Sequence, residues 1–266
     1  MAFTRNYLHL LLAACVALLY SIKSVSFRGG KPTCDNFIVN VYLYLTMSIV
    51  VVGLSCYGYN YLLNSPGQRN VYLPHNKVYQ DMGGYIIGAL LACFALVIYL
   101  ATSASFDNTN FKTVHAAWLA FLVLISISVY PYFKSAIFKD VVENALLITG
   151  TIFVVMTSIA FAMPQFFEKS YNFMTASILI SLIAIILVEV YNLLFNSDPK
   201  SMLTTFRMTS YAVIFIFTLL VSYDTHRMIQ LKNMCTSLPN YPKFSTDFFL
   251  DILNLFKRIA FLGGTK

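Results

Sequence analysis

FFLDILNLF, residues Phe248–Phe256, decides how this chain is read. A single carboxylate, Asp251, interrupts a run otherwise suited to hydrocarbon. A second run, LLVSYDTHRM at Leu219–Met228, ends on another acid, Asp224. An Asp near the centre of a spanning helix costs about 2.5–3.5 kcal/mol to insert, so an acid there is a candidate for function. Of the eleven acids, three are embedded in apolar runs: Glu189, Asp224 and Asp251.

The rest of the chain supports a membrane reading. Its 266 residues are 58% hydrophobic and 11% charged, against roughly 25% charged in a soluble domain. Apolar stretches long enough to span fall at about 7–22, 37–62, 84–103, 113–131, 141–163, 173–195, 203–228 and 245–262. The short connections between them hold most of the Pro, Asn, Asp and Lys. Strands are not expected, because the runs are long and lack period-2 alternation. The reading is an all-α membrane protein. Residues 1–35 form an N-terminal hydrophobic segment and loop, and 36–266 form one multi-helix domain. The net charge of +7 is scattered among the loops. It flanks helices and sets orientation rather than forming a nucleic-acid surface. Lys and Arg counted by alternate sides of eight spans divide ten to eight, which leaves topology open.

The final helix carries a pattern. Asp247, Asp251, Asn254 and Arg258 are spaced four, three and four apart, which places them on one helical face. Such a helix either lies in the membrane interface or turns its stripe to a polar interior, and the interior is favoured here. The preceding helix has a weaker stripe, Arg207, Tyr211, Thr218, Ser222 and Thr225, whose hydroxyls read as packing groups. Asp224 has Arg227 near it, and Glu189 has Asn192 and Asn196 along its face. For each acid the plainer reading is a group reaching interfacial water. If Asp224 and Asp251 meet, they cannot both ionise cheaply, and the pair titrates as a unit. Sharing a proton would close a pore; deprotonated, the pair would attract a divalent cation. His226 reads either as a pH-responsive group or as an interfacial ring.

Five cysteines are present. Cys15, Cys56 and Cys93 lie in apolar runs. Cys34 and Cys235 fall in loops on the same side, where a disulfide needs an oxidising compartment. No C-x-x-C or Cys/His cluster marks a metal site. The first segment resembles either a signal peptide or a short anchor.

YDTHRM followed by FFLDILNLFKRI resembles the closing signature of the transmembrane Bax inhibitor motif family, Y-D-T-Q and L-Y-L-D-I-I-N-L-F. Tyr223, Asp224 and Thr225 match, with His226 in place of Gln. Leu250, Asp251, Ile252, Asn254, Leu255 and Phe256 match, with Phe249 in place of Tyr. The opening helix resembles F-I-x-K-V-Y-x-x-L through Phe37, Ile38, Val41, Tyr42 and Leu45, with Asn40 in place of the basic residue. Ala145, Thr149 and Ala160 sit as in the family's fourth helix. The likeness runs from about Asn36 to Leu262. It implies a divergent member, cellular or viral, with seven helices, the last of them central. It also implies a pH-sensitive pair at Asp224 and Asp251, and a calcium leak in the endoplasmic reticulum or Golgi that dampens cell death. Bacterial relatives latch one aspartate with an Arg in the second helix. Residues 84–103 contain no Lys or Arg, and Arg207, Arg227 and His115 are the substitutes within reach of the argument.

The resulting expectation is a pH-sensitive calcium leak, not an enzyme. Asp224 and Asp251 are its ion pathway and transient calcium ligands, and Tyr223, Thr225, Asn254 and Glu189 support them. Calcium is the transported ion and no cofactor is expected. Lipid, calcium and cell-death regulatory membrane proteins are the partners. One alternative is a non-conducting regulatory protein acting through helix contacts. A lesser one is an intramembrane aspartyl protease, which shares Tyr223–Asp224 but requires G-x-G-D where this chain has Phe248, Phe249 and Leu250 before Asp251.

Overall fold

A computed structural model describes residues 5–69, 71–196 and 198–265. Within them are eight α-helices: α1 Arg5–Ser26, α2 Phe37–Leu63, α3 His75–Thr102, α4 Phe111–Lys134, α5 Val142–Ala162, α6 Pro164–Phe195, α7 Pro199–Asn233 and α8 Tyr241–Gly264. Helices dominate because hydrocarbon offers no partner to an open backbone N–H or C=O. Six of them are long and apolar enough to cross a membrane: α1, α2, α3, α4, α5 and α7. α6 has a shorter apolar stretch, Ala176–Asn192. α8 is absent from that set, and its stripe of Asp, Asn, Lys and Arg accounts for this. The protein is thus an all-α membrane protein, as expected from sequence.

α3, α6 and α7 each extend well beyond their apolar runs. α6 starts at Pro164, directly after Met163, with proline in its first turn, where its missing N–H costs nothing. α7 has 35 residues, about 52 Å at 1.5 Å per residue, which exceeds a hydrocarbon core of about 30 Å. Its start is capped by Asp198, whose carboxylate accepts from the backbone N–H of Lys200 (3.1 Å) and Ser201 (3.2 Å), the usual N-terminal bond.

Among the described residues the expected absence of strands holds except for one small hairpin. Phe27–Arg28 (β1) pairs antiparallel with Lys31–Pro32 (β2). Gly29 and Gly30 both have positive φ, 59° and 78°, the geometry of a tight hairpin turn.

The described residues form two compact units. The first comprises the chain up to Val142 together with Ile229–Phe249. Its core is aromatic: Tyr44, Phe121, Trp118 and Tyr241 are buried, and Tyr241 stacks on Tyr44 at 5.5 Å. One end of this unit is closed by three loops. Cys34 and Cys235 form a disulfide with Cα atoms 5.9 Å apart. The backbone N–H groups of Asp107 and Asn108 donate to the carbonyls of Ser237 and Leu238, and Asn240 N–H to Ser105. Lys243 donates to the carbonyls of Ala101 (2.7 Å) and Ser103 (2.8 Å). Fully buried Asn40 is a hub there. Its amide donates to the Asp35 carbonyl (2.8 Å) and the Tyr241 hydroxyl (3.0 Å), and its oxygen accepts from Ser26 (2.9 Å). The departure from the family's basic residue at this position thus has a structural use, since a Lys could donate but not accept.

At the other end of this unit Lys134 is buried, yet its ammonium is held by oxygens alone. They are Asn60 Oδ1 (3.0 Å) and the carbonyls of Gln68 (2.6 Å) and Arg69 (3.3 Å). Three donors meet three acceptors, which offsets the burial of the charge.

The second unit comprises Glu143–Met228 and the chain from Leu250 on. Ala145, Ala160, Val221, Leu255 and Ala260 are buried to 1% or less exposure. Small residues at such positions let helix backbones approach closely. Leu147, Ile180, Ile186 and Phe215 are exposed, as expected of a surface that meets lipid.

Candidate functional site

Asp224 on α7 and Asp251 on α8 both belong to the second unit. Asp251 is 4% exposed, deep for a carboxylate, while Asp224 and Tyr223 are half-buried. Asp251 is placed inside by the apolar residues around it. Leu253, Leu255 and Phe256 are buried on the same helix, so the turn that hides them hides the acid too.

The supporting residues divide into two kinds. Thr225 is fully buried, and its hydroxyl donates to the Val221 carbonyl at 2.7 Å. Thr218 makes the same bond to Ile214 (2.7 Å), and Ser222 reaches the Met156 carbonyl of α5 at 3.1 Å. These hydroxyls pack helices, as their spacing suggests. Asn254 is half-buried on the stripe between Asp251 and Arg258. His226 is 3% exposed and lies beside the Phe167 ring, 6.1 Å between centroids. It is therefore an interior group, not the interfacial ring that its position near a helix end suggests.

Glu189 differs most from its plainer reading. Its carboxylate is engaged by α7 and α8. Arg258 grips both oxygens, Nη1 to Oε1 at 2.7 Å and Nη2 to Oε2 at 3.0 Å. The Thr209 hydroxyl donates to Oε1 at 2.8 Å. The guanidinium lies over the Phe206 ring, 4.5 Å from its centroid. Both charged side chains are only about a fifth exposed, 18% and 21%. Two parallel charge-assisted bonds are the strongest arrangement an Arg and a carboxylate can adopt.

Sequence placed Arg258 on the stripe but gave it no partner. The two residues are 69 positions apart, and neighbouring helices leave no periodic trace of which azimuths face. Of the suggested substitutes for a latching Arg, Arg207 bonds the Thr265 hydroxyl at 3.3 Å. His115 in the first unit is held between the Tyr44 hydroxyl and the Phe111 carbonyl, both at 2.6 Å. Among the described residues no group of three or more His, Cys, Asp or Glu could hold a metal ion.

The model of the family described as inhibitor of apoptosis-promoting Bax1 matches residues 34–264. No curated protein and no solved structure gives a significant match. The family match covers both aspartate motifs, both disulfide cysteines and all of α2–α8, so the chain belongs to the Bax1-inhibitor family.

Proposed function

We propose that this protein is a pH-sensitive calcium leak of an internal membrane, with Asp224 and Asp251 as the groups that bind and gate the ion. The carrying observation is the burial of Asp251, 4% exposed on the polar stripe of α8, whose other faces carry Leu, Ile and Phe. A carboxylate held there at such cost fits a residue that handles protons or cations. Asp224 stands in the same compact unit. Tyr223 and Asn254 are polar neighbours in sequence. Thr225, already committed to its own helix backbone, supports by packing.

In this mechanism a proton shared between the two acids is the closed state. Loss of that proton leaves two negative charges and draws a divalent cation toward them. Calcium passes as cargo, with no resident cofactor and no bond made or broken. The Cys34–Cys235 disulfide supports a membrane that borders an oxidising compartment, such as the endoplasmic reticulum or Golgi. Lowering a calcium store there is the route by which the protein would restrain cell death.

The test is calcium efflux from proteoliposomes holding the purified chain. Efflux above that of empty vesicles is expected. Its absence would remove the leak and favour a regulatory protein that acts through helix contacts. That second reading draws support from Glu189 and Arg258, which satisfy each other and need no transported ion.

A further inference from the structure

We infer that Glu189 and Arg258 form a positioning clamp that sets the rotation of α8, and with it the direction in which Asp251 faces. This rests on the reading of Asp251 as the gating group.

Three observations carry it. First, Arg258 lies on the same face of α8 as Asp251, seven residues on and about 10 Å along the axis at 1.5 Å per residue. Turning the helix moves both together. Second, the clamp is built from three helices. Glu189 comes from α6, Thr209, Ser210 and Phe206 from α7, and Arg258 from α8. The guanidinium is constrained in plane by the two-pronged carboxylate bond and from its face by the Phe206 ring. Its Nη1 also reaches the buried Ser210 hydroxyl at 3.4 Å. Third, the ring that stacks on the guanidinium is itself held from α8. Phe206 meets Phe261 edge-on at 4.8 Å. Arg258 and Phe261 are three residues apart and grip the same α7 side chain.

α8 is amphipathic, and apolar packing of its Leu, Ile and Phe faces alone fixes its azimuth only loosely, since one Leu face packs much like another. A bidentate ion pair is directional and removes that freedom. The clamp is a positioning device: neither member needs to touch the ion.

The test reads the helix face without relying on conduction. Asn254→Cys places a thiol between Asp251 and Arg258. Its rate of modification by a charged water-soluble thiol reagent is followed by peptide mass in detergent-purified chain. The rate is compared with Glu189 and Arg258 intact, in Glu189→Gln, in Arg258→Gln and in Arg258→Lys. The inference expects both neutralising changes to shift the rate by more than about threefold, and Arg258→Lys, which keeps the charge, to lie nearer the parent. Rates within about threefold of the parent in both neutralised variants would overturn it. Should a single change prevent folding, the Glu189→Leu/Arg258→Met double variant removes both charges at once and strands neither. It is judged by the same threshold. Calcium efflux is measured in parallel. A changed rate at residue 254 with no efflux from the wild-type chain keeps the clamp and sinks the leak. Efflux with an unchanged rate keeps the leak and sinks the clamp.

Discussion

Glu189 and Arg258 make the clearest residue-scale prediction. Arg258→Gln leaves a half-buried carboxylate with Thr209 as its remaining close partner. Removing one member of a fully buried pair costs about 3–5 kcal/mol, while exposed pairs are worth under about 1 kcal/mol. With each side chain about a fifth exposed, a loss of about 1–3 kcal/mol is expected, read as a lowered unfolding midpoint in detergent. The Glu189→Leu/Arg258→Met variant should lose less than either single change, because no charge is stranded. A double-mutant cycle checks this, and strict additivity of the single losses would contradict the pairing. In the first unit Tyr241→Phe removes the hydroxyl that donates to the Thr33 carbonyl and accepts from Asn40. Leaving those buried partners unmet should cost about 1–3 kcal/mol. Thermal unfolding of Tyr241→Phe measures it, and an unchanged midpoint would show the hub to be dispensable.

Helices are the scale at which the sequence was most legible. Apolar runs marked all eight in the sequence, six of them long and apolar enough to cross a membrane. Their ends were less legible. The polar stretch at residues 164–172 continues α6, since helix formation does not stop where hydrophobicity does. The Gly29–Gly30 pair carried a hairpin signal that the length of the neighbouring runs obscured. The two closing motifs marked Asp224 and Asp251. The partner of Glu189 was hidden, because a 3.6-residue period reports which residues share a face but not which faces meet. The loops give a prediction of their own. With Cys34 bonded to Cys235, the denatured, non-reduced chain should show three reactive thiols, Cys15, Cys56 and Cys93. All five should react after reduction. Thiol counting by mass decides it, and five reactive thiols before reduction would refute the link.

For the whole molecule, the Cys34–Cys235 disulfide makes the topology that charge counting left open testable. Were all eight helices to cross, the loops of Cys34 and Cys235 would lie on one side and both chain ends on the other. The backbone bonds from residues 105–108 to 237–240 are in keeping with that arrangement, because eight crossings would put both segments on the disulfide side. An oxidising compartment on that side would then leave the ten-residue share of Lys and Arg facing the cytosol, in keeping with the positive-inside tendency. Tags at the two ends should therefore both be reached from the cytosolic side of sealed vesicles. Protection of one end alone would mean an odd number of crossings. The central claim concerns the two acids. The most direct measurement is calcium efflux from proteoliposomes at neutral and mildly acidic pH, for the wild type, Asp224→Asn, Asp251→Asn and the double variant, each confirmed as folded. Faster efflux at neutral pH, with the difference lost in the variants, is the predicted result. An equal pH response in the double variant, or no efflux above empty vesicles from the wild type, would contradict the account.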